Sequence, residues 1–88
     1  MSVFRRAPDA VEMEIDDTLV VVDPASEQMV TLNGVAGRIW AELAEPTGID
    51  ALVTAAGAAY PTVDPDRIRD DVAGFLDDAV QIGIIRAD

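Results

Sequence analysis

The chain has no cysteine, no histidine and no lysine. Without cysteine there is neither a disulfide framework nor a thiolate metal site. Without histidine the commonest metal ligand and the commonest general base at neutral pH are both missing. Aromatic residues are scarce: one Trp, one Tyr and two Phe. The only serines are Ser2 and Ser26, and neither has a base beside it. Positive charge is scarce too. Six arginines face 17 acids, for a net charge of −11. A phosphate backbone repels such a surface, which disfavours DNA or RNA as a partner. No apolar run approaches the ~20 residues that span a bilayer. The opening Met-Ser-Val-Phe-Arg-Arg leads into Ala-Pro-Asp instead of an apolar segment, so no secretory signal is read there. The expectation is a soluble, cytoplasmic protein without a membrane partner.

What is present is a small core. Half of the 88 residues are hydrophobic, which sets the chain apart from a disordered acidic tail. That length accommodates one domain, with a narrow stability margin that a partner would widen. The acidity serves solubility, or it forms a face that steers a basic or amphipathic partner.

Organisation follows from the hydrophobic pattern. Residues 1–9 read as a flexible arm, because Arg5-Arg6 is polar and Pro8 interrupts regular structure; residues 10–88 read as a single domain. Ala10 to Ile15 alternates, with Val11, Met13 and Ile15 on one face and Glu12 and Glu14 on the other, as a half-buried strand does. Asp16-Asp17 marks a turn. Thr18 to Val22 is apolar on both faces and reads as a central strand. Asp23-Pro24-Ala25-Ser26 is a turn with proline at a favoured place, and Glu27 to Leu32 is a third strand. Short strands on tight turns predict an antiparallel meander whose first and third strands are edges.

Three helices are expected to follow. The first opens behind Asn33, a favoured N-cap, and runs from about Gly34 to Ala44. Val35, Ile39 and Leu43, with Ala36 and Trp40, make its apolar face, and Trp40 is the natural centre of the core. The second opens at Thr47, with Asp50 completing a variant capping box, and ends by Pro61. The third has Asp64 as N-cap and Pro65 at the first helical position. Ile68, Val72, Phe75, Leu76, Ala79 and Val80 form its stripe, and Gly83 closes it.

No catalytic constellation emerges. The pairs Asp70-Asp71 and Asp77-Asp78 are helical neighbours that point about 100° apart, so they form a solvated face instead of an acid/base dyad. No window matches a calcium-binding loop. Gly34-Val35-Ala36-Gly37 lacks the third glycine and the lysine of the nucleotide-binding motifs. Gly74 sits in mid-helix at a cost of ~1 kcal/mol relative to alanine, and the gap it leaves would let another chain approach.

The order of elements, with Leu32-Asn33 before Ile39-Trp40, then Thr47-Gly48-Ile49-Asp50-Ala51-Leu52-Val53, then Val63-Asp64-Pro65, Ile68-Arg69-Asp70-Asp71-Val72, Phe75-Leu76 and Gly83-Ile84-Ile85, resembles the PqqD family. These small domains recognise leader peptides of ribosomally made, post-translationally modified natural products. The resemblance spans about residues 10–86. It implies an α+β, winged helix-turn-helix-like fold, with a three-stranded antiparallel sheet followed by three helices (βββααα). A free-standing chain of this size also resembles the leader-binding half of a split lasso-peptide B protein. The resemblance implies that a precursor leader peptide docks as an added strand beside the third strand, in a groove walled by the third helix. Onto this sequence it places Gln28, Met29, Val30, Thr31 and Leu32 at the edge, and Arg67, Asp71, Gly74, Phe75 and Asp78 on the helix. Asp70 takes the place of Asp71 if the helix is rotated slightly. The expected role is non-catalytic and needs no cofactor and no metal: the leader is captured and delivered to a transglutaminase-like leader peptidase and then a cyclase, or to a radical enzyme in a pyrroloquinoline quinone pathway. The chain is expected to be a monomer, or a weak homodimer through the third strand.

Two other readings share some of these features. A winged-helix transcription regulator has the same fold, but its third helix should be basic. Here that helix carries Asp66, Asp70, Asp71, Asp77 and Asp78 behind Asp64. An acidic carrier protein matches in length and charge, but it needs a serine at a helix start.

Overall fold

The computed structural model describes residues 3–32 and 34–88. The Asn33 cap therefore lies outside the described residues. The elements are β1 (Val3–Arg6), β2 (Val11–Ile15), β3 (Thr18–Asp23), β4 (Gln28–Leu32), α1 (Gly34–Glu42), β5 (Thr47–Gly48), α2 (Ile49–Ala59), α3 (Pro65–Ile82) and β6 (Ile85–Ala87). The three strands and three helices expected from the sequence are β2–β3–β4 and α1–α2–α3.

The meander forms as its pattern requires. Its sheet has the order β2-β3-β4, with both pairings antiparallel. Asp16 and Asp17 both take positive φ, 51° and 64°, and Ile15 pairs with Thr18. This is the two-residue, type I′ hairpin whose twist matches that of its strands. At the other turn Glu27 leaves the expected third strand, because its φ of 59° ends the turn in the left-handed region.

Two expectations are corrected. The loose arm of residues 1–9 contains β1, which pairs with β5 through Phe4↔Thr47 and with β6 through Arg6↔Ile85. Pro8 lies beyond the strand and interrupts nothing in it. Thr47 does not cap α2. It is extended against Phe4, its hydroxyl donates to the Glu45 carbonyl at 2.8 Å, and Gly48 is the residue before the helix. A strand position and a helix cap compete for the same backbone, and pairing with β1 wins.

The burial of β2 also departs from expectation. Its apolar row is solvent-facing, with Val11, Met13 and Ile15 exposed by 47%, 40% and 49%. Register explains this. Glu12 lies opposite Val21 and Glu14 opposite Leu19, and Val21 is fully buried. The face of β2 shared with the core therefore carries the two glutamates, and the apolar row shares the outer face with Val20, Val22 and Met29.

The helices close the core from the other side. Val21, Leu32, Ile39, Trp40, Leu43, Leu52, Ala56, Ile68, Val72, Leu76, Ala79, Ile84 and Ile85 form one buried cluster. Asp64 accepts a hydrogen bond from the Asp66 amide at 2.8 Å. Gly83, at φ 105°, ends α3 in the left-handed conformation, as the sequence predicts. Trp40 is buried at the junction of α1 with β1. The Arg6 guanidinium lies 4.5 Å from its ring centroid and donates to the Trp40 carbonyl at 2.6 Å through Nη2. This is a cation–π contact reinforced by a charge-assisted hydrogen bond.

Candidate functional site

A sheet edge can recruit another strand only through backbone groups that its own neighbour leaves free. In an antiparallel pair, residues alternate between those that exchange both hydrogen bonds with the partner and those that turn both groups away. A two-residue loop closes on a bonded pair, here Ile15 with Thr18. On β3, therefore, Thr18, Val20 and Val22 bond to β2, while Leu19, Val21 and Asp23 bond to β4. Their β4 partners are Leu32, Val30 and Gln28. Met29 and Thr31 are left with their N–H and C=O groups turned outward along the free edge.

The sheet has a second free edge, on β2, where the same alternation turns out the backbone of Glu12 and Glu14. Charged side chains on an edge discourage strand addition, and Arg6 reaches Glu12 at 3.3 Å. β4 carries no charged residue and no proline from Gln28 to Leu32. Of the two edges, β4 is the one left unguarded.

The residues expected on this edge divide by depth. Gln28, Met29 and Thr31 are exposed, and Met29 is 61% exposed. Val30 is half-buried against the core, and Leu32 is buried within it. Leu32 therefore offers an added strand neither its side chain, which is in the core, nor its backbone, which is turned to Leu19. The hydrophobic pattern marks the whole strand and does not separate Met29 and Thr31 from the rest. The Asp16-Asp17 turn, which fixes the alternation, was the signal that separates them.

On α3, Phe75 is half-buried against the same core as Val30. Arg67, Asp71, Gly74 and Asp78 are exposed. Arg67 and Asp71 form a pair at 3.8 Å, one helical turn apart, of the kind that contributes little at a solvated surface. A Cβ built on Gly74 meets nothing within 4 Å, so no contact inside the protein demands glycine there. Arg69 is engaged elsewhere, 3.5 Å from Asp50 on α2. Val80 borders a cleft shared with Ala7, Asp9 and Asp23, which lie where β1 leads into β2 and where β3 ends. At about 100° per residue, Asp71, Phe75 and Asp78 lie roughly 140–180° around the helix from Val80.

Among the described residues no group of three or more acidic side chains is arranged to hold a metal ion, and no helix is long and apolar enough to cross a membrane. The arrangement supplies backbone pairing, a half-buried aromatic and carboxylates on an exposed helix flank.

No curated protein matches the chain. A solved structure described as TbiB1 in complex with the TbiA(beta) leader peptide superposes with a TM-score of 0.80 at 26% identity, covering 93% of this chain and 94% of that one. The family profile of Coenzyme PQQ synthesis protein D (PqqD) matches residues 18–85. That span runs from the first residue of β3, through the unguarded edge and all three helices, to the start of β6, and the chain belongs to the PqqD family.

Proposed function

We propose that this protein binds the leader peptide of a ribosomally synthesised precursor, a lasso-peptide precursor in the reading favoured here, as a strand added to β4. The observation that carries this reading is an uncharged sheet edge along which Met29 and Thr31 turn their backbone groups outward, in a chain that superposes over nearly its whole length on a leader-peptide complex. Backbone pairing supplies affinity, and pockets for alternate side chains supply specificity. Side chains of the leader on the core side of the sheet would lie toward Val30 and the α3 flank of Arg67, Asp71, Gly74, Phe75 and Asp78. Phe75 offers an apolar floor there, and the carboxylates of Asp71 and Asp78 offer partners for a basic or hydroxyl group. Side chains on the other face would lie beside Met29 and Thr31.

The role is that of a non-catalytic adaptor. It would hold the leader and present the precursor to a transglutaminase-like leader peptidase and then to a cyclase, raising effective concentration without chemistry of its own. Fluorescence polarisation of a labelled leader, taken from a precursor encoded beside this gene, tests the reading. Saturable binding that a scrambled leader does not reproduce is expected. Equal binding of both peptides, or none well above micromolar protein, would overturn it.

A further inference from the structure

We infer that the free edge of β6 is a second strand-docking site, suited to an extended segment of a partner protein that carries a basic residue. Two hydrogen bonds show which backbone groups of this edge are already used. The Ala7 amide donates to the Ile84 carbonyl at 2.8 Å, and the Asp88 amide donates to the Val3 carbonyl at 2.8 Å. With Arg5 opposite Arg86, the alternation turns residues 84, 86 and 88 toward β1. The N–H and C=O groups of Ile85 and Ala87 point the other way. In the order β5-β1-β6 that side has no neighbouring strand, and the residues that turn their backbone outward are uncharged, unlike Glu12 and Glu14 on β2, because Arg86 is turned to β1.

Ile85, Arg86 and Ala87 also line an open cleft of about 500 Å³, together with Val80, Gly83 and Asp23. The volume falls within the roughly 300–1,000 Å³ typical of ligand clefts. Val80 is 38% exposed, and it is the one large exposed hydrophobic, among the described residues, that lies off the outer face of the β2–β3–β4 sheet. Asp9 and Asp23 also line the cleft, and neither is in an ion pair among the described residues. Asp23 accepts turn hydrogen bonds from the Ala25 amide and the Ser26 hydroxyl, which leaves its charge uncompensated. Asp88 is paired with Arg5 at 3.3 Å, and Arg86, the cation that lines the cleft, is in no ion pair among the described residues. Two free carboxylates against one guanidinium favour a positively charged side chain, and Val80 offers an apolar contact beside it.

Charge selects the occupant. A second copy of this chain would bring its own Asp9 and Asp23 to the same seam, together with a net charge of −11, and like charges brought together oppose association. The leader edge on β4 belongs to the other sheet, and the α3 flank that would wall it is turned roughly 140–180° away from Val80. A partner held along β6 therefore leaves β4 open, and enzyme and leader can be gathered on one small scaffold. The inference itself does not depend on the leader reading.

The test is a nuclear magnetic resonance titration of the ¹⁵N-labelled chain with two blocked pentapeptides, Thr-Val-Arg-Val-Thr and its twin with glutamate at the centre. The arginine peptide should shift the Ile85 and Ala87 amides and the Val80 resonances saturably. The glutamate twin should bind at least about fivefold more weakly, the equivalent of ~1 kcal/mol. A double variant, Asp9→Asn with Asp23→Asn, should remove the difference between the peptides, and Ala87→Pro should remove binding while a leader peptide still shifts Met29 and Thr31. Equal response to both peptides, no saturable shift at millimolar concentration, or shifts confined to Met29 and Thr31 would overturn the proposal. So would concentration-dependent shifts of Ile85 and Ala87 without peptide, which would assign the edge to a second copy.

Discussion

Two glycines carry opposite messages about why a residue without a side chain is used. Gly83 is required by the fold. Its φ is 105°, and a Cβ there would sit 2.9 Å from Asp23 Oδ2. Gly83→Ala should therefore lower unfolding stability by about 1–3 kcal/mol, the scale of a strained backbone position. In a urea double-mutant cycle, Gly83→Ala should cost less on an Asp23→Ala background than on the parent, by the part due to the clash, and should keep the part due to φ. Gly74 is required by nothing inside the protein. A side chain there has open space, and glycine costs a helix interior ~1 kcal/mol relative to alanine. Gly74→Ala should raise the denaturation midpoint. If the leader packs across this part of α3, the same variant should weaken leader binding, and a more stable variant with reduced affinity would separate use from folding.

At the scale of elements, the alternation along β4 determines which proline is informative. Val30 bonds to β3 in the register Val21↔Val30, so Val30→Pro removes a ladder hydrogen bond and damages the sheet whether or not a leader binds there. Thr31 turns its N–H outward, where an edge strand tolerates proline. Thr31→Pro should keep the circular dichroism spectrum of the parent and weaken leader binding at least tenfold, as measured by fluorescence polarisation. β1 supports a second prediction. Removing residues 1–6 would strip Arg6 from Trp40 and leave β5 and β6 without their central strand. A loss of several kcal/mol in thermal or urea unfolding is expected from the lost pairing and exposed core, whereas a flexible arm could be removed at no cost.

These same elements show what the sequence made legible. The β2–β3–β4 meander, the Asp64-Pro65 start of α3 and the Gly83 stop were readable because each depends on neighbours within a few residues. The small β5-β1-β6 sheet was not. Its strands come from residues 3–6, 47–48 and 85–87, each too short to show a period, and their pairing is tertiary. The orientation of β2 is not legible in its sequence for a related reason. Alternation gives two faces but not which one meets the core, and the glutamate face is turned inward because the neighbouring residue on β3 is the buried Val21. On the candidate site, the strand and helix were legible as elements. The distinction between Val30, used within the sheet, and Thr31, free at its edge, needed the register.

At the scale of the whole molecule, the chain is an acidic scaffold whose β2–β3–β4 sheet leaves its β4 edge unguarded. The other edge of that sheet is protected by Glu12 and Glu14, and the helix face that a DNA-binding relative of this fold would make basic carries aspartates instead. The central claim is that the leader occupies β4. The most direct measurement is amide hydrogen exchange, residue by residue, with and without saturating leader peptide. The account predicts that the Met29 and Thr31 amides, which are turned away from β3, exchange fast in the free protein and become strongly protected when the leader is bound. The Glu12 and Glu14 amides on the opposite edge should be unchanged. Bound leader with Met29 and Thr31 still exchanging at their free rates, or with protection appearing at Glu12 and Glu14 instead, would contradict it.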